Sequence, residues 1–400
     1  WYGDSCLTIN DSGNSITVSA NGCGGTIIGK LNNGSSNSVT LKYEDELVVT
    51  VPNRRWDISI PADLVEEVGR IYGYDNLKST QPLLAETHGG YSAKETAMRR
   101  IKDIAQGQGL MEAISYSLTS PEKAISFTKD PKPVVEVQWP LNSSRSTMRE
   151  NLITGLVDAA SYNMARKQKE LALFEQGRVY DHENNTFNEH EHLAALYSGH
   201  TLAANWQHLD QKIDFYFVKG QLTNLFRAIG IKDEDVEYRA ELVQGMHPTR
   251  TAGIYINDQY VGLIGMLAHA VTTLDKALRG SDIYVYEIDL DAIVSMLHKG
   301  MKAKAAPKFP AIERDLSLLV PNDVTNAQIE AQIKLNGGKY LYDIRVIDVY
   351  AGSQIESGHK SISYSLTFLN EKDTLTDEVV ATAMEKIEAD LKESLKIKVR

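Results

Sequence analysis

The last hundred residues carry the clearest alternation of hydrophobic and polar positions in the chain. The stretches IERDLSLLVP, LYDIRVIDVY and SISYSLTFLN alternate with the period of half-buried strands, and a short KIKVR follows at the end. Between them, NAQIEAQIKLN and TDEVVATAMEKIEADLKESL have the spacing of amphipathic helices. The order βαββαβ predicts a ferredoxin-like domain over residues 307–400.

The middle of the chain predicts a sheet covered by helices. Strand patterns occur in VVEVQWP, LALFEQGRVY, HLAALYSG, TAGIYIN, YVGLIGML and IYVYEIDL, and helices are predicted at 92–113, 151–166 and 214–229. The strands outnumber the helices and show no regular βαβ period. This pattern favours an antiparallel sheet, so the fold class predicted for the whole chain is multidomain α+β.

The beginning of the chain has a different character. Residues 1–43 are rich in Gly, Ser and Asn and predict small antiparallel strands with no assigned function. A buried strand, ELVVTVP, follows, and then a helix with Pro61 in its first turn and Gly73 near its end. The predicted domains are therefore 1–43, 44–82, 83–300 and 307–400, with a linker at 301–306.

Composition limits the classes of function. A net charge of −11 over 400 residues excludes a generally basic nucleic-acid-binding protein, although one local patch could still contact RNA. The chain shows neither an apolar run long enough to cross a membrane nor a visible signal peptide, so a cytoplasmic protein without membrane contact is expected. Cys6 and Cys23 either bridge a hairpin or stay reduced, and the cytoplasmic setting favours thiols.

Four acidic residues, Asp57, Asp63, Glu66 and Glu67, form the best candidate metal site. The last three stand at i, i+3 and i+4, so one helix face can carry them all, and Asp57 lies in the turn before that helix. Hard cations such as Mg²⁺ prefer carboxylate oxygens. The alternative is that these acids are solvated and are stabilised by the helix dipole.

Signals for nucleophilic catalysis are weak. The sequence has no nucleophile elbow, no P-loop and no dinucleotide-binding glycine motif. His247 and His269 flank a predicted strand pair, and either act together or are structural. Arg145 and Arg149 precede the helix that begins near Asn151, where they either bind a phosphate or carboxylate, or cap the helix and pair with Glu150.

Three long segments together resemble one family. VPNRRWDISIPADLVEEVGRIYGYDNL resembles part of the B5 domain of bacterial phenylalanyl-tRNA synthetase beta subunits. NSSRSTMRENLITGLVDAASYNMARKQKELALFEQGRVY resembles the catalytic-like module of that subunit. KFPAIERDLSLLVP, with DVYAG and TLTDEVV downstream, resembles its ferredoxin-fold anticodon-binding domain. The resemblance covers residues 44–400 in family order.

The resemblance implies a non-catalytic subunit in an α2β2 enzyme that joins phenylalanine to tRNA(Phe). The alpha subunit of that enzyme binds ATP and phenylalanine, and the beta module is an inactive copy of the class II synthetase fold. This sequence agrees, because the glycine-rich class II signature is absent and Met148–Glu150 is at most a relic of the arginine motif that reads ATP. The runner-up is a stand-alone RNA-binding or protein-interaction scaffold built from the same domains.

The resemblance also implies ligands for two sites. The family's Mg²⁺ site, shared with the alpha subunit, has acids at a first position and at +6, +9 and +10, which match Asp57, Asp63, Glu66 and Glu67. Residues 307–400 contain 12 Lys and Arg against 15 Asp and Glu, a net charge of −3, so stacking and a few placed cations must carry any tRNA contact. The candidate RNA-binding residues are Lys308, Arg314, Arg345, Tyr350, His359 and Lys360. Tyr364 and Phe368 share one strand face and either join them or belong to the core.

Two features depart from the family pattern. A complete beta subunit also carries an N-terminal tRNA-binding domain and an editing domain, and neither is expected within these 400 residues. The segment GLIGMLAHA ends differently from the family's G-E-L-H-P, which leaves a family role for His269 unsupported.

Overall fold

The computed structural model describes residues 6–11, 16–21, 28–31, 38–43, 45–51, 54–79, 89–201, 206, 211–297, 305–352 and 354–400. Up to residue 50 it describes the backbone alone, except at Val49. Cys6 and Cys23 therefore lie outside the residues whose side chains are described. The chain divides into two compact units, Trp1–Gly90 and Tyr91–Arg400.

The described residues of the first unit form short strands and an α-helix. It contains β1 (Cys6–Asp11), β2 (Ile16–Asn21), β3 (Ile28–Leu31), β4 (Ser38–Tyr43), β5 (Asp45–Thr50) and α1 (Pro61–Tyr72). Strands β1 and β2 pair antiparallel, and β3, β4 and β5 form a second antiparallel sheet, which confirms the predicted strand character of this region. Proline occupies the first position of α1 and Gly73, at φ 91°, follows its last residue, as the sequence predicted.

The second unit begins with a large sheet and its helices. Its elements are α2 (Ala93–Gly107), β6 (Met111–Glu112), β7 (Leu118–Thr119), α3 (Pro121–Ala124), β8 (Thr147–Met148), α4 (Ile153–Met164), β9 (Leu171–Glu183), β10 (Thr186–Ser198), α5 (Phe215–Ile229), β11 (Val236–Ala240), β12 (Met246–Ile256), β13 (Gln259–Leu267), α6 (His269–Leu274), β14 (Ile283–Asp289) and α7 (Leu290–Met296). Seven strands form one sheet in the order β11-β12-β13-β14-β10-β9-β6.

Two hydrophobic cores form on this sheet. One contains residues of α2 and α5, including Ile101, Leu222 and Phe226, packed with Tyr286 of β14. The other contains Leu156 of α4. Successive strand residues such as Leu173 and Phe174 belong to different cores, because alternate side chains point to opposite faces of a strand.

The structure corrects two sequence predictions in this region. The sheet is mixed and not purely antiparallel, because β6 pairs parallel with β9. The predicted strand VVEVQWP is wrong: among its residues only Glu136 makes a strand-like bridge, to Thr147. Prolines at positions 131, 133 and 140 have no N–H to donate to a neighbouring strand, which explains why this apolar run does not join the sheet.

The C-terminal elements follow the predicted order. They are β15 (Ile312–Pro321), α8 (Asn326–Asn336), β16 (Leu341–Tyr350), β17 (His359–Phe368), α9 (Asp377–Leu395) and β18 (Lys398–Val399). The strands form an antiparallel sheet in the order β16-β17-β15-β18, with both helices contributing to one core on one face. The βαββαβ prediction is confirmed. Within the described residues, no helix is both long and apolar enough to span a membrane.

Candidate functional sites

An arginine lies between two of the four predicted metal ligands. Arg55 Nη2 is 2.7 Å from Asp57 Oδ2 and 2.7 Å from Glu67 Oε1, and Arg70 contributes a further contact of 2.7 Å to Glu67 Oε2. The hydrogen bond from Arg55 holds the pKa of Asp57 below its usual range. Hydrogen bonds from Arg55 and then Arg70 lower the pKa of Glu67 to about 2.

The other two predicted ligands are used differently. The carboxylate of Asp63 accepts the backbone N–H groups of Ser59 at 2.7 Å and Ile60 at 2.8 Å, and so caps the start of α1. These backbone hydrogen bonds lower the pKa of Asp63. The side chain of Glu66 is exposed.

The fit of this acidic group to a cation is therefore incomplete. Four carboxylates are suitable donors for Mg²⁺, but no set of three or more ligating side chains converges on one point anywhere among the described residues. In this arrangement the guanidinium of Arg55 supplies the positive charge between Asp57 and Glu67.

The two arginines before α4 make intramolecular contacts. Arg145 donates to the carbonyl of Leu118 at 3.1 Å and stacks on the ring of Tyr116. Arg149 is buried and pairs with Glu175 at 2.6 Å, while its Nε donates to the carbonyl of Arg178 at 2.9 Å. The alternative pairing of Arg149 with Glu150 is thus corrected, because its partner is Glu175 from β9.

The start of α4 is held by a buried carboxylate that the sequence analysis did not identify. Glu287 of β14 accepts the backbone N–H groups of Leu152 at 3.0 Å and Ile153 at 3.2 Å, and its Oε1 lies 2.7 Å from Nδ1 of His192. Burial disfavours a charge on His192, but the bond to Glu287 raises its pKa overall. The sequence signal that could have indicated this contact is the position of Glu287 and His192, since both belong to the strand faces that cover α4.

His247 and His269 lie next to each other, as they would have to in order to act together. Their ring centroids are 5.5 Å apart in an edge-to-face arrangement. The backbone N–H of Thr249 donates to Nδ1 of His247 at 3.2 Å, which fixes that ring in its turn. The contact is between the two rings, and such packing fits the structural alternative.

The C-terminal sheet separates the predicted RNA-binding residues into two groups. Residues opposite one another on paired strands share a face. Arg314 lies opposite Leu366, which belongs to the core, and pairs with Asp377 at the start of α9. Lys360 donates to the carbonyl of Val324 at 2.8 Å and so secures the turn before α8. The structure thus gives Arg314 and Lys360 roles on the helix side.

The second group lies on the other side or at the edge of the sheet. Arg345 and Tyr350 lie opposite Ser365 and Ser361, on the face away from the helices. His359 is the first residue of β17, and Lys308 is exposed just before β15. Tyr364 and Phe368 are both buried in the core, so the second of their two alternatives is confirmed.

Comparison with protein families identifies the family of the chain. The model described as "Phenylalanyl tRNA synthetase beta chain CLM domain" matches residues 77–290, slightly more than half of the chain. The chain belongs to this family. The models for the ferredoxin-fold anticodon-binding domain and the tRNA synthetase B5 domain match residues 307–400 and 29–74, which confirms the predicted family.

Curated relatives from this family are very similar in sequence. The chain is 99% identical over 357 residues to a phenylalanine–tRNA ligase beta subunit of Lactobacillus johnsonii, 74% identical over 356 residues to that of Lactobacillus acidophilus, and 43% identical over 359 residues to that of Latilactobacillus sakei. Each match covers 89% of this chain and 44% of the relative, so the chain spans less than half the length of these relatives.

One solved structure shows a distant likeness. The pyrrolysyl tRNA synthetase PylSc of Desulfitobacterium hafniense is 15% identical, with a TM-score of 0.35, over 52% of this chain and 73% of that one. At this level the likeness carries no argument about fold or function.

Proposed function

We propose that this chain is a non-catalytic part of phenylalanine–tRNA ligase that scaffolds the catalytic alpha subunit in a cytoplasmic α2β2 enzyme and binds tRNA(Phe). The observation that carries the proposal is the burial and pairing of Arg149, which lies in the module that the family model matches. Its side chain is 7% exposed, and its Nε and Nη1 groups donate to the carbonyl of Arg178, to Ser115 and to Glu175, so the relic of an ATP-reading arginine is engaged in the protein interior and not presented to a phosphate. ATP and phenylalanine are accordingly bound by the alpha subunit, while the class II-like sheet of this chain acts as a scaffold.

A catalytic assay of the chain alone tests the non-catalytic role. The purified chain is expected to form no phenylalanyl-adenylate when ATP and phenylalanine are supplied, whereas the same assay with an added alpha subunit provides the positive control. Adenylate formation by the chain in the absence of alpha subunit would overturn the proposal, because it would require an active site of its own.

Exposed apolar side chains support a scaffolding role over a stand-alone RNA-binding protein. Ile114, Tyr116, Trp139 and Leu141 are all exposed, with Leu141 at 99%. They lie on the segments next to β7 and β8, two strands that pair with each other. Large apolar side chains exposed in one region are typical of protein–protein interfaces. A stand-alone scaffold remains the alternative function, and it predicts no bound alpha chain.

A cation bound by Asp57, Asp63, Glu66 and Glu67 is the second part of the proposal. The donor type suits Mg²⁺ shared with the alpha subunit, and the contacts of Arg55 are those that would have to open for a cation to enter. Because Arg55 bridges Asp57 and Glu67, we infer that it holds these acids in the free chain and withdraws when the cation binds.

The role of Arg55 can be tested by measuring Mg²⁺ binding directly. Arg55→Ala removes the competing charge, so the chain with its alpha subunit is expected to bind Mg²⁺ more tightly than the unchanged complex, measured by isothermal titration calorimetry. Arg54→Ala is the matched control, because Arg54 is the neighbouring exposed arginine. If Arg55→Ala weakens Mg²⁺ binding, or Asp63→Asn/Glu67→Gln leaves it unchanged, these acids are only the solvated start of a helix.

A further inference from the structure

The large sheet carries a cavity that none of the roles above uses. It measures about 330 Å³ and lies on the face of the sheet that packs against α4. Its walls come from the segment before α4, the β9–β10 hairpin, β13 and β14. A volume of this size suits a small molecule.

Among the residues that line the cavity, Glu150 has a buried carboxylate whose hydrogen bonding is incomplete. The residue is 7% exposed, so it is more than nine-tenths buried. Its Oε2 accepts the backbone N–H of Lys132 at 3.3 Å, whereas its Oε1 has no hydrogen-bond partner among the described residues. A buried polar atom without a partner costs free energy unless something else satisfies it.

Most of the other charged groups around the cavity already have partners. Lys129 pairs with Glu241 at 2.8 Å and Lys132 with Glu183 at 2.9 Å. On the opposite wall, Asp181 contacts His190, and Glu287 contacts His192. Both lysine Nζ atoms therefore pair with carboxylates other than Glu150, which leaves room for a cation from outside the cavity as the partner of Glu150.

The charges that line the cavity determine whether a positively or a negatively charged partner is favoured. Five carboxylates but only two lysines line the cavity: Asp130, Glu150, Asp181, Glu287 and Asp289 against Lys129 and Lys132. A ligand with a carboxylate or phosphate would meet repulsion here, whereas a cation would be attracted. Phe127, Val179, Tyr180 and Tyr260 supply apolar surface beside these charges.

We propose that this cavity binds a small primary amine with an apolar body, whose ammonium group pairs with the carboxylate of Glu150. A charge-assisted contact would compensate the buried, incompletely bonded carboxylate, and the aromatic walls would hold the body of the ligand. Free amino acids are excluded as good ligands because their carboxylates face an acidic lining. The site therefore differs in chemistry from one that takes phenylalanine.

The protonation of Glu150 gives the site a pH dependence. Burial raises the pKa of Glu150 to about 7, and the nearby charge of Asp181 acts in the same direction. The carboxylate form is the one that binds an ammonium group, so affinity should rise as pH increases through this pKa. His190 and His192 also line the cavity. Burial disfavours a charge on His192 but its bond to Glu287 raises its pKa overall, and a positive charge on His192 would disfavour a cation in the same sense.

Calorimetry on the full chain with benzylamine as the probe tests the proposal. Between about pH 6 and about pH 8 the affinity should rise about tenfold, following the ionised fraction of Glu150. Benzyl alcohol and benzoate, which share the aromatic body, should bind far more weakly. Glu150→Gln keeps the shape and the acceptor for Lys132, and should weaken benzylamine binding at least about tenfold at the higher pH.

Asp130→Asn is the matched control, because it removes an exposed lining charge without touching Glu150. It should leave most of the affinity intact. Benzyl alcohol binding as tightly as benzylamine, or an affinity that does not change with pH, would overturn the proposal even if Glu150→Gln failed to fold. Equal benzylamine binding by a folded Glu150→Gln variant, or no detectable heat with the unchanged chain, would do the same.

Discussion

Arg149 and Arg178 both bind carboxylates, but Arg149 is buried and Arg178 is exposed. This difference in burial decides how much each ion pair contributes to the stability of the chain. Arg149 and Glu175 are 7% and 4% exposed, and the pair is completed by Ser115 and the carbonyl of Arg178. Arg178 itself is 57% exposed and reaches Glu189 and Glu191 across the surface of β10. Removing one partner of a buried pair leaves an uncompensated charge, whereas an exposed pair is screened by water.

Replacing each arginine by methionine should separate the two cases. Arg149→Met is expected to destabilise the chain by about 3–5 kcal/mol, whereas Arg178→Met should leave the free energy of unfolding nearly unchanged. Urea unfolding followed by circular dichroism measures both. Equal losses for the two variants would mean that the Arg149–Glu175 pair is not the buried anchor described above.

Strand β16 shows at the level of an element where sequence reasoning succeeds and where it stops. The alternation in LYDIRVIDVY predicted a strand, and β16 spans Leu341–Tyr350. Simple alternation places Arg345 and Tyr350 on opposite faces, because they are five residues apart. The pairing with β17 shifts register between Val346 and Asp348, so both residues lie on the face away from the helices. A bulge of this kind depends on the partner strand, and the pattern of one strand does not reveal it.

Arg345 and Arg314 lie on opposite faces of the C-terminal sheet and form a matched pair for testing tRNA contact. Arg345→Gln and Tyr350→Ala are each expected to weaken tRNA binding by the assembled enzyme by roughly tenfold, through a lost phosphate contact or a lost stacking platform. Arg314→Gln should leave the affinity within about twofold, because that side chain already pairs with Asp377.

Filter binding of tRNA at one fixed salt concentration measures these differences. Equal losses for Arg345→Gln and Arg314→Gln would show that the variants act through the stability of the domain. Unchanged affinity in all three would remove this face of the sheet from the binding surface.

At the scale of the whole molecule, the sequence predicted the domain order and the elements more securely than the contacts of the sites. The predicted helices at 151–166 and 214–229 correspond to Ile153–Met164 and Phe215–Ile229. The pairing of Arg149 with Glu150, one of two alternatives, is replaced by a pairing with Glu175. Asp57, Asp63 and Glu67 contact arginines or backbone N–H groups, because partners distant in sequence or on a neighbouring turn compete for the same carboxylates. Glu175 lies 26 residues from Arg149, and no local spacing indicates their contact.

The central claim is that this chain serves as a scaffold for a catalytic alpha subunit, and gel filtration with light scattering tests it most directly. The chain is coexpressed with the alpha subunit of phenylalanine–tRNA ligase from Lactobacillus johnsonii, and the purified mixture is analysed for mass and composition. The account predicts a single species that contains both chains in equal amounts. Two separate peaks, with the alpha subunit absent from the fractions that contain this chain, would contradict it.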